Sequence, residues 1–124
     1  MNPITNLLNK MIKDKQGKIN EIDAEIDEIK ERKASAKVAK DKFDESYNEL
    51  NLLHSDVTSC FKGEAADAFA NKVFNFMIFS SSRSYHMEKQ INNFKNQLKE
   101  LEKQRTKASN ALKRIEGIKE FFKL

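Results

Sequence analysis

Residues 19–57 read INEIDAEIDEIKERKASAKVAKDKFDESYNELNLLHSDV and carry one uninterrupted helical pattern. Twelve positions in this stretch follow one another in alternating steps of three and four residues. They are Ile19, Ile22, Ile26, Ile29, Lys33, Ala36, Lys40, Phe43, Tyr47, Leu50, His54 and Val57. Mostly apolar residues at this spacing form a stripe along one side of a helix, the seam of a coiled coil. At Lys33 and Lys40 the aliphatic stems can cover apolar surface while the ammonium groups reach water.

The pattern ends at residues 55–63, SDVTSCFKG, where turn-forming residues cluster. Glu64 and Asp67 then place negative charge where the dipole of a new helix favours it. We therefore predict a helix over residues 3–57, a turn over 58–63 and a second helix over 64–122. A short turn between long helices predicts an all-α fold, a long antiparallel two-helix hairpin with coiled-coil packing, as one domain over residues 1–124.

The second helix has its own predicted seam, which contains two consecutive steps of four residues, from Phe76 to Ser80 to Ser84. Such steps interrupt the alternation and predict a stutter, a local unwinding of the supercoil. The full predicted seam is Ala66, Phe69, Val73, Phe76, Ser80, Ser84, Met87, Ile91, Phe94, Leu98, Leu101, Arg105, Ala108, Leu112, Ile115, Lys119 and Phe122.

The composition fits long helices, because 34% of the 124 residues are charged and the chain has only one proline and three glycines. The N-terminal stretch lacks the apolar core of a signal peptide, and no run reaches the roughly 18 apolar residues of a membrane span. We expect a cytoplasmic protein without stable membrane insertion, which could be exported only by a route that needs no signal peptide.

Motifs for catalysis or cofactor binding are not found in the sequence. It contains no glycine-rich phosphate loop, C-x-x-C or His-x-x-x-His motif. His54 and Cys60 lie near the turn, but a Cys–His pair would need a third group and an oxyanion hole. Residues 83–124 contain 11 Lys or Arg and 5 Glu. Nucleic-acid binding is not favoured, because the Glu residues are interspersed among the basic ones and most of the aromatic residues belong to the predicted seam. We expect no enzyme activity, metal or cofactor.

Residues 73–79, VFNFMIF, are apolar around most of the helix circumference. Val73 and Phe76 belong to the predicted seam, so Phe74 and Ile78 form a second ridge, to which Phe79 adds. A helix that is apolar on several sides is buried on several sides, and two helices alone bury little core. We predict a partner interface at Phe74, Ile78, Phe79, Ser80 and Ser84, whose serines would let a partner helix approach closely, or a homodimer.

The segment 61–69, FKGEAADAF, resembles the turn of the WXG superfamily, with Phe61 in place of Trp, then Gly63 and an Ala-rich helix start with Phe69. Members of that superfamily are small helical hairpins exported by type VII secretion in Gram-positive bacteria. This chain is similar to the small helical proteins that partner LXG-domain toxins. The family's export signal, an aromatic residue followed four positions later by an acidic one, is absent in clean form, since Tyr85 is followed by Lys89.

The resemblance implies a non-enzymatic adaptor or chaperone that binds the helical N-terminal domain of an LXG-type toxin, which a second small helical protein could join, and supports its export. Two other interpretations stay open. One is a coiled-coil module that self-associates in the cytoplasm. The other is a prefoldin-like holdase, although nothing between the helices resembles the β-hairpins of those proteins.

Overall fold

The computed structural model describes residues 3–122, which form two long helices packed together without any β-strand. Helix α1 spans Pro3–Cys60 and helix α2 spans Glu64–Phe121. The predicted all-α antiparallel hairpin is confirmed. The first two and last two residues of the predicted domain lie outside the described range.

The corner between the helices is shorter than the sequence suggested, because α1 continues to Cys60. The Thr58 hydroxyl donates to the His54 carbonyl at 2.8 Å, and the Ser59 hydroxyl donates to the Ser55 carbonyl at 2.6 Å. Hydroxyls that bond to a carbonyl one turn earlier are compatible with a continuing helix, so residues that often form turns extend α1 here. The predicted turn over 58–60 is therefore wrong, and only residues 61–63 leave the helices.

The chain divides into two compact units. Unit 1 pairs the chain up to Glu31 with the chain from Phe94 onward, and unit 2 comprises Arg32–Asn93. The core of unit 1 is a cluster of aliphatic side chains, and an ion pair joins its two helical segments where Arg105 Nε donates to Asp23 Oδ1 at 2.5 Å. This bond raises the pKa of Arg105. The cluster consists of Ile22, Ile26, Leu98, Leu101 and Ala108, with Ile19 and Ile29 packed against it.

Unit 2 has a thinner core made of smaller side chains. Its buried residues are Ala36, Val57, Ala70, Val73, Met77, Ser80, Ser84 and Ile91. The two chain segments run antiparallel, and residues that contact each other across them have numbers that add up to 128 for Asp44 with Ser84 and for His54 with Phe74, and to 122 for Phe43 with Phe79. The Ser84 hydroxyl reaches Asp44, and the His54 ring centroid lies 6.1 Å from that of Phe74.

The α1 seam predicted from the sequence agrees with the observed burial. Every one of its twelve positions is buried or half-buried except Tyr47, which is exposed. The two seam lysines, Lys33 and Lys40, are half-buried, as expected for side chains whose stems cover apolar surface.

In the first third of α2, the buried side of the helix is offset by one residue from the predicted seam. Phe76 is 61% exposed, whereas its neighbour Met77 is 6% exposed, and Phe69 is exposed while Ala70 is buried. The observed seam is Ala66, Ala70, Val73, Met77, Ser80, Ser84, Met87, Ile91, Phe94, Leu98, Leu101, Ala108, Leu112, Ile115 and Lys119, with Arg105 exposed at its place in the series.

These positions alternate steps of four and three throughout, so the predicted stutter at Phe76 to Ser84 is wrong. A continuous seam keeps its phase along a helix, and the long regular run from Ser84 to Ile115 therefore fixes the positions nearer the corner. The large aromatic side chains of Phe69 and Phe76 fall one residue away from that line and remain exposed. Phe122, just beyond α2, is also exposed.

Candidate protein-binding surfaces

Gly63 forms the corner of the hairpin. Its φ of 115° lies in the region that favours glycine, and its carbonyl accepts a hydrogen bond from the Asp67 amide at 3.0 Å. This is the first bond into α2, whose first turn also carries the acidic Glu64 and Asp67. A glycine at this position lets the chain reverse within three residues.

The two aromatic residues of the predicted turn motif do not form a buried anchor. Phe61 is 64% exposed and Phe69 is also exposed. The Phe61 amide donates to the Val57 carbonyl at 3.1 Å, while its ring borders a shallow depression beside Ala66 and Ala70. Of the three motif residues, Gly63 thus shapes the corner, and Phe61 and Phe69 present apolar surface around it.

The first large apolar surface of unit 2 is a groove that we name the Phe74 face. It consists of Tyr47, Phe74, Ile78 and Tyr85, with Met77, Ser81 and Ser82 at its base and edge. The side chains of Phe74, Ile78 and Tyr85 are each about half exposed. The Lys89 ammonium lies 4.7 Å from the Tyr85 ring centroid and borders this face with positive charge.

The second apolar surface is a groove that we name the Phe79 face. It consists of Phe43, Leu50, Leu53, Phe76 and Phe79, with Ser46, Glu49 and Ser80 beside them. The rings of Phe43 and Phe79 meet edge to face with their centroids 6.5 Å apart, and the Arg83 guanidinium lies 5.2 Å from the Phe79 centroid. A cation over an aromatic ring is attracted to its face.

The two faces lie on different sides of α2. Phe74 and Phe79 are five residues apart, which places them about 140° apart at roughly 100° per residue. The buried Met77 belongs to the seam between them. The single interface predicted at Phe74, Ile78 and Phe79 is therefore divided, since Phe74 and Ile78 belong to one groove and Phe79 to the other.

Ser80 and Ser84 do not belong to an outer surface. They are 5% and 9% exposed, because their small side chains let α1 of the same chain approach α2 closely. Their assignment to the partner interface is corrected: the helix that approaches these serines closely is α1 within the hairpin.

A polar cluster crosses the hairpin at Ser84. Its hydroxyl donates to Asp44 Oδ1 at 2.5 Å, and the Lys40 ammonium donates to Asp44 Oδ2 at 2.8 Å. The bond from Lys40, followed by the bond from Ser84, lowers the pKa of Asp44, and the same contact raises the pKa of Lys40. The middle of the α1 seam therefore contains a satisfied polar contact between the helices.

Groups that could perform chemistry are sparse in the described range. Residues 3–122 hold no cluster of three His, Cys, Asp or Glu side chains that could bind a metal ion. Cys60 is a free, exposed thiol at the last residue of α1. Within the same residues, neither helix has a stretch long and apolar enough to cross a bilayer.

Fold and surface together define an all-α two-helix hairpin with two exposed apolar grooves in one unit. No protein-family model matches the chain, and no curated protein or solved structure matches it significantly. Sequence reasoning missed Tyr47 and Tyr85 on the Phe74 face and Phe43, Leu53 and Phe76 on the Phe79 face. Extending the regular seam from Met87–Ile115 back toward the corner would have favoured Met77 over Phe76 as the seam residue.

Proposed function

We propose that this chain is a non-enzymatic adaptor that binds the helical N-terminal domain of an LXG-type toxin and supports its export by type VII secretion. The observation that carries this proposal is the Phe74 face, whose Phe74, Ile78 and Tyr85 side chains are half exposed. The hairpin fold and the corner at Gly63 support the WXG resemblance from which the partner's identity is inferred.

Binding would bury the Phe74 face under a helix of the toxin domain. Large exposed apolar patches on a protein mark contact sites, and large aromatic side chains remove much apolar area from water when a partner covers them. Truncating an aromatic residue in the middle of an interface often weakens the binding free energy by about 2 kcal/mol or more. The interaction needs no catalytic step, and the chain would remain in the cytoplasm until export.

The export signal would come from the toxin or from a second small helical protein. In the family an acidic residue follows an aromatic one by four positions, but here Lys89 follows Tyr85 and lies over its ring. The family's motif has a negative charge at this position, and Lys89 places a positive charge there instead. The adaptor would therefore accompany its partner to the secretion system without itself carrying the export signal.

The test is affinity capture of the tagged full chain from its native cells, followed by mass-spectrometric identification of an LXG-domain protein. The double variant Phe74→Ala and Ile78→Ala should reduce capture more than tenfold while circular dichroism stays unchanged, since Ala favours helices. The matched control is Leu52→Ala, because Leu52 is 67% exposed on α1 and lies on neither face.

Three results would contradict the proposal. The first is the absence of any LXG-domain protein among the captured partners. The second is wild-type capture by the double variant, which would move the interface elsewhere. The third is equal loss with Leu52→Ala, which would show that general apolarity, rather than the Phe74 face, retains the toxin.

A further inference from the structure

We propose that the end of unit 1 at which α1 begins and α2 ends binds the surface of an anionic lipid bilayer. This inference concerns a different surface from the adaptor function and does not rest on it. The surface, which we name the end face, has exposed apolar side chains at its centre and basic side chains around them. Its apolar residues are Ile4, Leu7 and Met11 on α1 and Ile118 and Phe121 on α2.

The apolar centre of the end face is well exposed to water. Leu7 is 59% exposed, and Phe121 is 74% exposed, which is more than any other large apolar side chain within residues 3–122. The rings of Phe121 and Phe122 meet edge to face with their centroids 5.5 Å apart. Large apolar side chains grouped on a surface in this way mark a contact site.

The heptad positions place the two helices' contributions on one side of the hairpin. The three residues on α1 follow one another in steps of three and four, and the two on α2 are three apart, so each helix presents one ridge. Met11 and Ile118 each come immediately before a half-buried seam position. In unit 2, Leu53 and Phe76 hold the equivalent position and line one groove together. The two ridges of unit 1 therefore flank its seam on a common side.

Basic side chains surround this apolar centre. Four of them lie on the same side of their helices, because each is three, seven or fourteen residues from an apolar residue of the end face. They are Lys10, Lys18, Lys107 and Arg114. All four are exposed, and none forms an ion pair within residues 3–122. Asp14 is the acidic residue among them, whereas Glu116 and Glu120 border a different depression beside Gly117.

An apolar centre within an excess of positive charge indicates a lipid surface as the occupant. Helices at a bilayer interface carry Lys and Arg beside bulky apolar residues, because the apolar side chains enter the headgroup boundary while the cations bind anionic lipids. The long stems of Lys and Arg can extend along the apolar side chains. Lysine is depleted in protein–protein interfaces, which disfavours a toxin helix at this surface.

Acidic residues further along α1 restrict how unit 1 can approach the bilayer. The same side of the helix continues with Glu21, Glu25 and Glu28. Glu21 lies 14 residues beyond Leu7, about 21 Å along the helix, which exceeds two Debye lengths of about 8 Å at physiological salt. An anionic surface would repel these carboxylates if unit 1 lay flat on it. We therefore expect unit 1 to make contact with its end rather than with its side.

The experiment is co-sedimentation of the purified full chain with lipid vesicles. The wild type should bind vesicles of phosphatidylglycerol and phosphatidylcholine, should not bind phosphatidylcholine alone, and should bind more weakly as salt is added. The apolar variant is Leu7→Ala with Phe121→Ala, and the charge variant is Lys10→Glu with Arg114→Glu. Each should weaken binding to the anionic vesicles by more than about tenfold.

Each variant has a matched control in unit 2. Leu52→Ala with Val38→Ala removes two other exposed apolar side chains. Lys42→Glu with Lys72→Glu changes the net charge by the same amount as the charge variant, at two exposed positions away from the end face. Both controls should bind like the wild type. Circular dichroism should be unchanged throughout, because all of the substituted side chains are exposed.

A fluorescent reporter shows which surface enters the bilayer. The chain contains no Trp, so Phe121→Trp provides a single indole in the end face. Its emission should shift to shorter wavelength with anionic vesicles, and that of Leu52→Trp should not. The proposal is overturned if the wild type does not bind, if neutral vesicles bind equally well, or if the controls lose as much binding as the end-face variants. Loss of toxin capture by the end-face variants, with no vesicle binding by the wild type, would instead assign this surface to a protein.

Discussion

Ser84 on α2 donates a hydrogen bond to the Asp44 carboxylate on α1, and Lys40 donates to the other oxygen of the same carboxylate. This contact is a polar link between the helices of unit 2, and it lies beside a seam of small residues. A carboxylate held by two donors prefers its charged form, which is why its pKa is lowered.

The lowered pKa of Asp44 predicts how folding stability depends on pH. The folded pKa lies below the ordinary value of 3.8, so the contribution of Asp44 is present above that value and is lost as the pH falls through the folded pKa. Asp44→Asn should remove this part of the acid dependence in denaturant titrations from pH 7 downward. Equal acid sensitivity in the two proteins would contradict the contact.

The Ser84 hydroxyl should contribute measurably to that pKa. We expect Ser84→Ala to raise the pKa of Asp44 toward its ordinary value, as followed by NMR titration of the carboxyl carbon. Ser82→Ala is the matched control, because Ser82 is exposed on the Phe74 side and should leave the pKa unchanged. A titration unaffected by either variant would show that Lys40 alone holds the carboxylate.

The phase of the α2 seam is tested by two neighbouring residues. Met77→Ala should lower the free energy of unfolding by about 2–3 kcal/mol, because it removes buried apolar volume. Phe76→Ala should change it by no more than about 0.5 kcal/mol, the usual range for exposed positions. Both are measured by urea denaturation at a concentration low enough to keep the chain monomeric. The reverse ranking would favour the seam with a stutter.

Replacing glycine by alanine should have opposite effects on stability at the corner and inside α2. Gly63→Ala should lower the free energy of unfolding by about 1–3 kcal/mol, because Ala rarely adopts a φ of 115°. Gly117→Ala, inside α2 with nothing within 4 Å of an added Cβ, should raise it by roughly 0.5–1 kcal/mol. Thermal unfolding of both variants provides the comparison, and stabilisation by Gly63→Ala would contradict the corner geometry.

Truncating a side chain in the aliphatic cluster of unit 1 should destabilise the fold far more than truncating an exposed leucine. Leu98→Ala is expected to cost about 2–5 kcal/mol, since Leu98 is buried among Ile22, Ile26 and Leu101. The exposed Leu52 again serves as the control, and Leu52→Ala should change stability by at most about 0.5 kcal/mol. Equal costs at the two leucines would show that Leu98 contributes no more than a surface side chain.

Much of the fold could be predicted from local pattern. The α1 seam from Ile19 to Val57 is long and regular, so its phase can be read without reference to the partner helix. The turn cluster predicted the corner at Gly63 correctly, but it placed the end of α1 too early. The hydroxyls of Thr58 and Ser59 donate to helix carbonyls one turn earlier, and the helix continues through them. Ser and Thr support both turns and helices, and only the backbone around them decides.

The candidate surfaces were harder to predict, because residues 66–79 offer more apolar side chains than one seam can take. Phe76 and Met77 are both large and apolar, so hydrophobicity does not choose between them. Assigning Phe76 to the seam also forced the false stutter and grouped Phe79 with Phe74.

The sequence by itself determined that the chain is two helices joined at a glycine, because heptad spacing and turn chemistry are local properties. Only the tertiary structure decided which side of α2 meets α1, because that choice depends on the whole length of the seam. Small residues at Ala70, Ser80 and Ser84 let the helices approach closely. The larger aromatic side chains of Phe74, Phe76 and Phe79 are thereby left on two outer faces, where another protein can cover them.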